Sequence, residues 1–121
     1  MRSGREYADY LGDIAEYAYR AEMLVAGTDP TDFQADSTVS LAVVRCLEII
    51  GEAARHIPAH VRHRYSDVPW HKVVAMRNLL AHEYFGIDLE VIWRTVKEDL
   101  PALREVVSRM IGALDATRES E

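Results

Sequence analysis

This sequence predicts an all-α fold, an up-and-down bundle of four to five helices. Three observations carry that expectation. Apolar residues recur at alternating steps of three and four along most of the chain, and no segment shows the every-second-residue alternation of a strand. Stop signals such as Gly27-Thr28-Asp29-Pro30 leave only short connections between the periodic stretches. Stepping of this kind implies shallow crossing angles between helices. With 121 residues, 49% of them apolar, residues 1–121 suffice for a single domain and one packed core without staples.

The first helix is expected over about Arg5 to Ala26, where Tyr7, Leu11, Ile14, Ala18, Ala21 and Val25 make one stripe. Thr31 to Ser37 reads as a connector with Phe33 as its anchor. The second helix, about Thr38 to Ile57, buries Val39, Val43, Cys46, Ile50, Ala53 and Ile57, and Leu47, Ile49 and Ala54 widen that face. Such a helix is central and covered on more than one side. Gly51 inside it costs roughly 1 kcal/mol relative to Ala, which close approach of another helix would explain. Arg45, Glu48, Glu52 and Arg55 form a charged stripe, either a plain solvated surface or the lining of a cleft.

Pro58 closes that helix, and residues 59–68 form a short helix or loop. Pro69 suits the first turn of a third helix over Trp70 to about His82. Gly86 marks the next break, and Asp88 is the N-cap of the last helix. Leu89, Trp93, Val96, Leu100, Leu103, Val107, Met110 and Leu114 are its stripe, and Pro101 should kink or split it.

The single cysteine, Cys46, excludes an intrachain disulfide and reads as a small buried thiol. No run approaches the roughly 20 apolar residues of a membrane span, and the start resembles no signal peptide. A cytoplasmic protein with no membrane partner is the expectation. A net charge of −6 argues against a general polyanion binder. The charge is uneven, however: Arg55, Arg62, Arg64, Lys72 and Arg77 stand against Asp67 alone between residues 55 and 82. His56, His60, His63, His71 and His82 all fall there too. That distribution fits a local RNA site, an acidic partner, or a solvated face. His56, His60 and His63 are helix-spaced, but Pro58 interrupts them and no Cys or paired acids complete a ligand set, so neither metal nor cofactor is expected.

On an ideal helix, Trp70, Val73, Val74, Leu80 and Ala81 share a face with Arg77 in its middle. His71, Asn78 and His82 fall on another face, so Arg77 and His82 stand about 140° apart. A guanidinium among apolar neighbours needs a partner. Either the helix ends near Ala81 and frees His82, or two copies pair across a dimer axis and share these residues, or Arg77 is a structural arginine bonded to helix-end carbonyls and His82 a surface histidine.

Val68-Pro69-Trp70 followed by Met76-Arg77-Asn78-Leu79-Leu80-Ala81-His82-Glu83-Tyr84 resembles the R-x-x-x-x-H-x-Y signature of HepT proteins in the HEPN superfamily. Arg45-Cys46-Leu47-Glu48-Ile49-Ile50-Gly51-Glu52-Ala53 is similar to that family's other strong block, and Asp99-Leu100-Pro101-Ala102-Leu103 to a third. The resemblance implies a dimeric HEPN-like bundle that places the Arg and His motifs of both protomers in one cleft. It implies a metal-independent endoribonuclease toxin acting on tRNA or mRNA, not DNA. It also implies an MntA-type nucleotidyltransferase antitoxin, which silences the toxin by adding AMP to the motif tyrosine, here Tyr84.

The chemistry of the residues agrees with that implication. An imidazole titrates near pH 6.5 in round terms (about 6.5), so His82 suits the base that deprotonates a 2′-OH or the acid for the leaving oxygen. Arg77 offers a fork of donors to the non-bridging oxygens. Asn78 would orient the imidazole or donate to phosphate, and Tyr84 would stack on a base or bond to phosphate. Arg45, Glu48 and Glu52 are candidates to line the cleft. The competing reading is a non-enzymatic, nucleotide-binding or partner subunit of a nucleotidyltransferase. A plain helical interaction module is a third.

Overall fold

The computed structural model describes residues 2–35, 37–79 and 88–120. Among them the chain is helical throughout, without strands, as the apolar stepping predicts. Three long helices frame the bundle: α1 (Arg2–Ala26), α3 (Ser37–Arg55) and α7 (Leu100–Ser120). Short helices link them: α2 (Pro30–Ala35), α4 (Ala59–Arg64), α5 (Trp70–Ala75) and α6 (Leu89–Arg94). No described helix is long and apolar enough to cross a membrane.

Helix α3 is the centre. It packs against α1, α2, α5 and the turn after α5, while α1 also packs against α7. Its width of apolar surface makes this possible: Val43, Val44, Cys46, Leu47, Ile50, Ala53 and Ala54 are all buried. From α1, Leu11, Ile14, Ala18, Ala21 and Val25 meet that surface along one stripe. Burial raises the Cys46 thiol above its ordinary pKa, which makes it a poor nucleophile.

Two connections differ from the sequence expectation. Residues of the expected connector after Pro30 form α2. Asp29 nucleates it, its Oδ1 accepting from the Asp32 N–H at 2.8 Å and its carbonyl from the Phe33 N–H at 2.8 Å. Pro30 fits the first helical position, where no N–H is required. Phe33 is the anchor, fully buried and edge-on to Trp93 at 5.3 Å. The last helix starts as expected, with Asp88 Oδ1 accepting from the N–H groups of Glu90 (3.1 Å) and Val91 (3.2 Å). It is then interrupted not by a break but by a π-helical turn, Thr95–Asp99, between α6 and α7.

That wider turn lies just before Pro101, which has no N–H for the helical ladder and whose ring crowds the carbonyl four residues back. It also shifts the phase of the apolar stripe. Downstream, Leu100, Leu103, Val107 and Met110 are buried as the spacing predicts. Upstream, Ile92 takes the buried position expected for Trp93, which is only partly buried. A π turn accommodates about one residue more than an α turn, so the stripe slips by one position.

The third helix also departs from the expectation. Its α-helical part ends at Ala75, and Met76–Asn78 tightens into a 3-10 turn, with the Leu79 N–H bonded to the Met76 carbonyl at 3.3 Å. The expected continuation to His82 and the break at Gly86 lie outside the described residues.

Candidate functional site

Gly51 determines where Arg77 sits. A Cβ at Gly51 would collide with the backbone nitrogen of Arg77. It would also lie 2.9 Å from the Val74 carbonyl oxygen and 3.0 Å from that of Val73. The end of α5 and the 3-10 turn therefore rest directly on the backbone of α3, in space that only glycine leaves. This is the close approach that the glycine within the second helix implies.

The Arg77 backbone rests on α3, on the face that packs there, but its side chain reaches out of that contact. Trp70 and Val73 stay buried, but the Arg77 side chain is 38% exposed. Its partner is not a neighbour on its own helix but Glu52, one residue beyond Gly51, with Arg77 Nη1 3.7 Å from Glu52 Oε1.

Glu52 is the hub of this surface. Its Oε2 accepts from Arg55 Nη2 at 2.8 Å and lies 3.2 Å from His56 Nε2. The hydrogen bond from Arg55, then that from His56, lowers the Glu52 carboxyl to about 2. The His56 ring stacks on Tyr10 of α1, with centroids 4.4 Å apart and planes within 12°. Above neutral and well below it, Glu52 is thus an anion shared among three cationic or imidazole side chains.

A cleft of about 440 Å³ opens beside this hub. From α3, Arg45, Glu48, Ile49, Glu52 and Ala53 line it. Arg77 and Asn78 line it from the 3-10 turn, and Tyr10 and Asp13 from α1. The structure therefore puts Arg45, Glu48, Glu52, Arg77 and Asn78 around one space. Glu48 is buried, with Arg45 Nη1 3.5 Å from its Oε1, while Arg45 itself is largely exposed. Asp13 is raised from its ordinary range, first by burial and then by the charges of Glu16 and Asp9. His82 and Tyr84, the other residues singled out in the sequence, lie outside the described residues.

Tyr10, Asp13 and the buttressing His56 escape a reading of the sequence. Tyr10 and Asp13 are one turn apart, off the apolar stripe of α1, but only the packing of α1 on α3 turns that polar face toward Glu52. Among the described residues no group of three His, Cys, Asp or Glu side chains is arranged to hold a metal ion. The His56, His60 and His63 series is divided: His56 belongs to the Glu52 hub, and the other two sit on α4.

Chemically, the cleft presents two guanidinium groups, from Arg45 and Arg77, over a carboxylate floor. Loosely held guanidiniums at an open cleft suit an incoming anion with planar, forked acceptors.

The family described as "HepT-like: Ribonuclease HepT-like" matches residues 9–110. A "Probable ribonuclease HepT" of Thermococcus cleftensis is 43% identical over 100 residues, covering 83% of this chain and 91% of that protein. A protein provisionally named an RNase in Methanocaldococcus jannaschii is 40% identical over 105 residues, covering 87% of this chain and 96% of its own length. One with the same kind of name in Caldanaerobacter subterraneus subsp. tengcongensis is 35% identical over 111 residues, with 92% and 96% covered. No solved structure matches the chain significantly.

Proposed function

The chain belongs to the HepT-like ribonuclease family, and on that footing we propose that it is a metal-independent endoribonuclease, the toxin of a HepT/MntA pair. The observation that carries this reading is Arg77, held at the edge of an open cleft by a glycine contact and a shared glutamate. Relatives named as ribonucleases across most of their length support it.

In the proposed reaction a base takes the proton of an RNA 2′-OH and the freed oxygen attacks the adjacent phosphorus. The bond to the 5′-oxygen breaks, and an acid returns a proton to that leaving oxygen. The products are a 2′,3′-cyclic phosphate and a 5′-hydroxyl end. His82 serves as base or acid, and in a homodimer the two copies divide these roles. Arg77 binds the non-bridging oxygens and offsets the charge that develops on them. Asn78 orients His82 or donates to the phosphate. Tyr84 contacts the RNA, and an MntA-type nucleotidyltransferase silences the toxin by adding AMP to it. That adduct brings bulk and negative charge into an anion site, so RNA binding is lost.

A second reading rests on the acids. Asp13, Glu48 and Glu52 line the cleft together with Arg45 and Arg77, a balance less favourable to a polyanion than to a cationic or protein partner. A non-enzymatic partner subunit of a nucleotidyltransferase follows from it. Incubation of purified protein with single-stranded RNA in excess EDTA separates the two. The first reading predicts fragments ending in 2′,3′-cyclic phosphate, absent with His82→Ala. Intact RNA, or equal cleavage by that variant, contradicts it. Mass spectrometry of the chain co-expressed with the nucleotidyltransferase should find AMP on Tyr84, and an unmodified tyrosine beside an active partner removes the regulatory part.

A further inference from the structure

The arginines and histidines of α4 are not among the residues that line the cleft around Arg77. Helix α4 reads Ala-His-Val-Arg-His-Arg, with Val61 buried and its other side chains left to one side. Against the start of α5, Arg62 and His63 border a second, open groove of about 410 Å³. Arg62, His63 and Ser66 line it from α4 and the turn that follows, and Trp70 and His71 line it from α5. No carboxylate is among its described lining residues. On the other side of Val68 and Pro69 lies a groove of about 250 Å³ of opposite character, where Asp67, Glu98 and Asp99 outnumber Lys72. One short segment thus separates a basic groove from an acidic one.

The basic groove is built rather than incidental. Arg62 Nε donates to the Ile57 carbonyl at 3.0 Å, which fixes the side chain and leaves both Nη groups as donors. The Trp70 indole N–H donates to the Tyr65 carbonyl at 3.0 Å and fixes the opposite wall. His63 and His71 are exposed, and among the described residues neither forms an ion pair. Of the apolar lining residues Val68 and Trp70 are buried, and the exposed ones, Ala59 and Pro69, are small, so the described lining offers no large exposed aromatic or aliphatic anchor of the kind protein partners use. Arginine and N–H donors without such an anchor are the equipment of phosphate contact.

We propose that this groove binds the phosphodiester backbone of single-stranded RNA outside the cleft, so that one strand is held at two places. This rests on the ribonuclease reading. The same short element carries both places: α5 begins at the groove, and the 3-10 turn that follows it ends at Arg77 and Asn78. From His71 to Arg77 the axial rise is roughly 9–10 Å, within reach of a few nucleotides. The groove then supplies affinity for longer RNA, while the chemistry stays at the cleft.

The test uses the full chain and its His63→Glu/His71→Glu variant, two exposed positions that touch neither the core nor the cleft. Binding of a 2′-O-methyl RNA of about twelve nucleotides is measured over a range of salt, since such an oligonucleotide fills a typical single-strand site. Affinity should fall about tenfold, and the slope of log affinity against log salt should lessen by about one to two. Cleavage of an unmodified dinucleotide should be unchanged. A milder His63→Gln/His71→Gln variant should lose about threefold if the acidic variant fails to fold by circular dichroism. Equal affinity and equal salt slope in the folded variants overturn the proposal, as does RNA that the wild-type chain does not bind. If poly-glutamate binds in a variant-sensitive way while RNA binding is unaffected, the groove is a protein surface and the proposal fails. The ribonuclease reading fails separately, through binding of unmodified RNA without its cleavage.

Discussion

Arg77 and Arg104 each reach a glutamate on another helix, and they are held in different ways. Arg104 of α7 grips Glu22 of α1 at two points, Nε to Oε2 at 2.8 Å and Nη2 to Oε1 at 3.0 Å. Its guanidinium also lies 5.6 Å from the centre of the Tyr19 ring. Arg77 approaches Glu52 by one atom pair at 3.7 Å, and Glu52 makes closer bonds to Arg55 and His56. The Glu22 side chain is 19% exposed against 51% for Glu52, so water competes far more for the second pair. A forked pair with one acid per cation is a structural tie. A cation sharing an acid with two others keeps donors for a ligand.

The largest disturbance of this contrast should come from Gly51→Ala. The added methyl group meets backbone, which cannot turn aside as a side chain can. Overpacking there should cost about 2 kcal/mol, offset in part by the better helix propensity of alanine. Urea denaturation measures that loss, and RNA cleavage should fall beyond it because Arg77 is displaced. A variant as stable and as active as the wild type would mean that Gly51 does not position the turn.

Arg104→Ala should reverse the pattern. Loss of the forked bond and of the contact with Tyr19 should lower stability by about 1 kcal/mol. Cleavage per folded molecule should be unaltered. If activity falls while thermal stability holds, the two arginines are less different in kind than their geometry indicates.

The smallest effect on stability should come from Glu52. Its carboxyl is lowered to about 2, chiefly by Arg55. A depressed carboxyl contributes fully above its ordinary range and loses that contribution as pH falls through the folded value. The hub should therefore persist through mild acid and dissolve only near pH 2 (about 2). In an NMR titration, Arg55→Ala should move the Glu52 inflection up toward the ordinary carboxylate range. Glu52→Gln should lower kcat a few-fold, on the order of threefold, through a less well-oriented Arg77, with little change in urea midpoint.

Much of the frame was legible because each long helix writes its own apolar stripe. Leu11 to Val25 and Val43 to Ala54 are buried as their spacing predicts, and Asp88 caps the helix it precedes. Local rules failed where distant parts of the chain decide local geometry. The 3-10 turn at Met76 lies where α5 presses on Gly51, a residue of another helix. The π turn accompanies Pro101 but moves Ile92, nine residues earlier, into the core in place of Trp93. Of the cleft, Arg45, Glu48, Glu52, Arg77 and Asn78 could be named from their patterns. Tyr10 and Asp13 could not, because their role depends on which face of α1 meets α3. Ideal-helix geometry puts Arg77 among apolar neighbours and in need of a partner, but that the partner is Glu52 of another helix is set by packing and not by the local pattern.

The central claim is that Arg77 serves a reaction and not the fold. Its most direct test is the rate of single-stranded RNA cleavage in EDTA by Arg77→Ala, measured beside Arg104→Ala on protein shown to be folded. Loss of one phosphate-stabilising donor typically costs on the order of 10²–10³ in rate, and that is the expected fall for Arg77→Ala. Its urea midpoint should stay close to that of the wild type, while Arg104→Ala should keep its rate and lose stability. Arg77→Ala that cleaves as fast as the wild type would contradict the account.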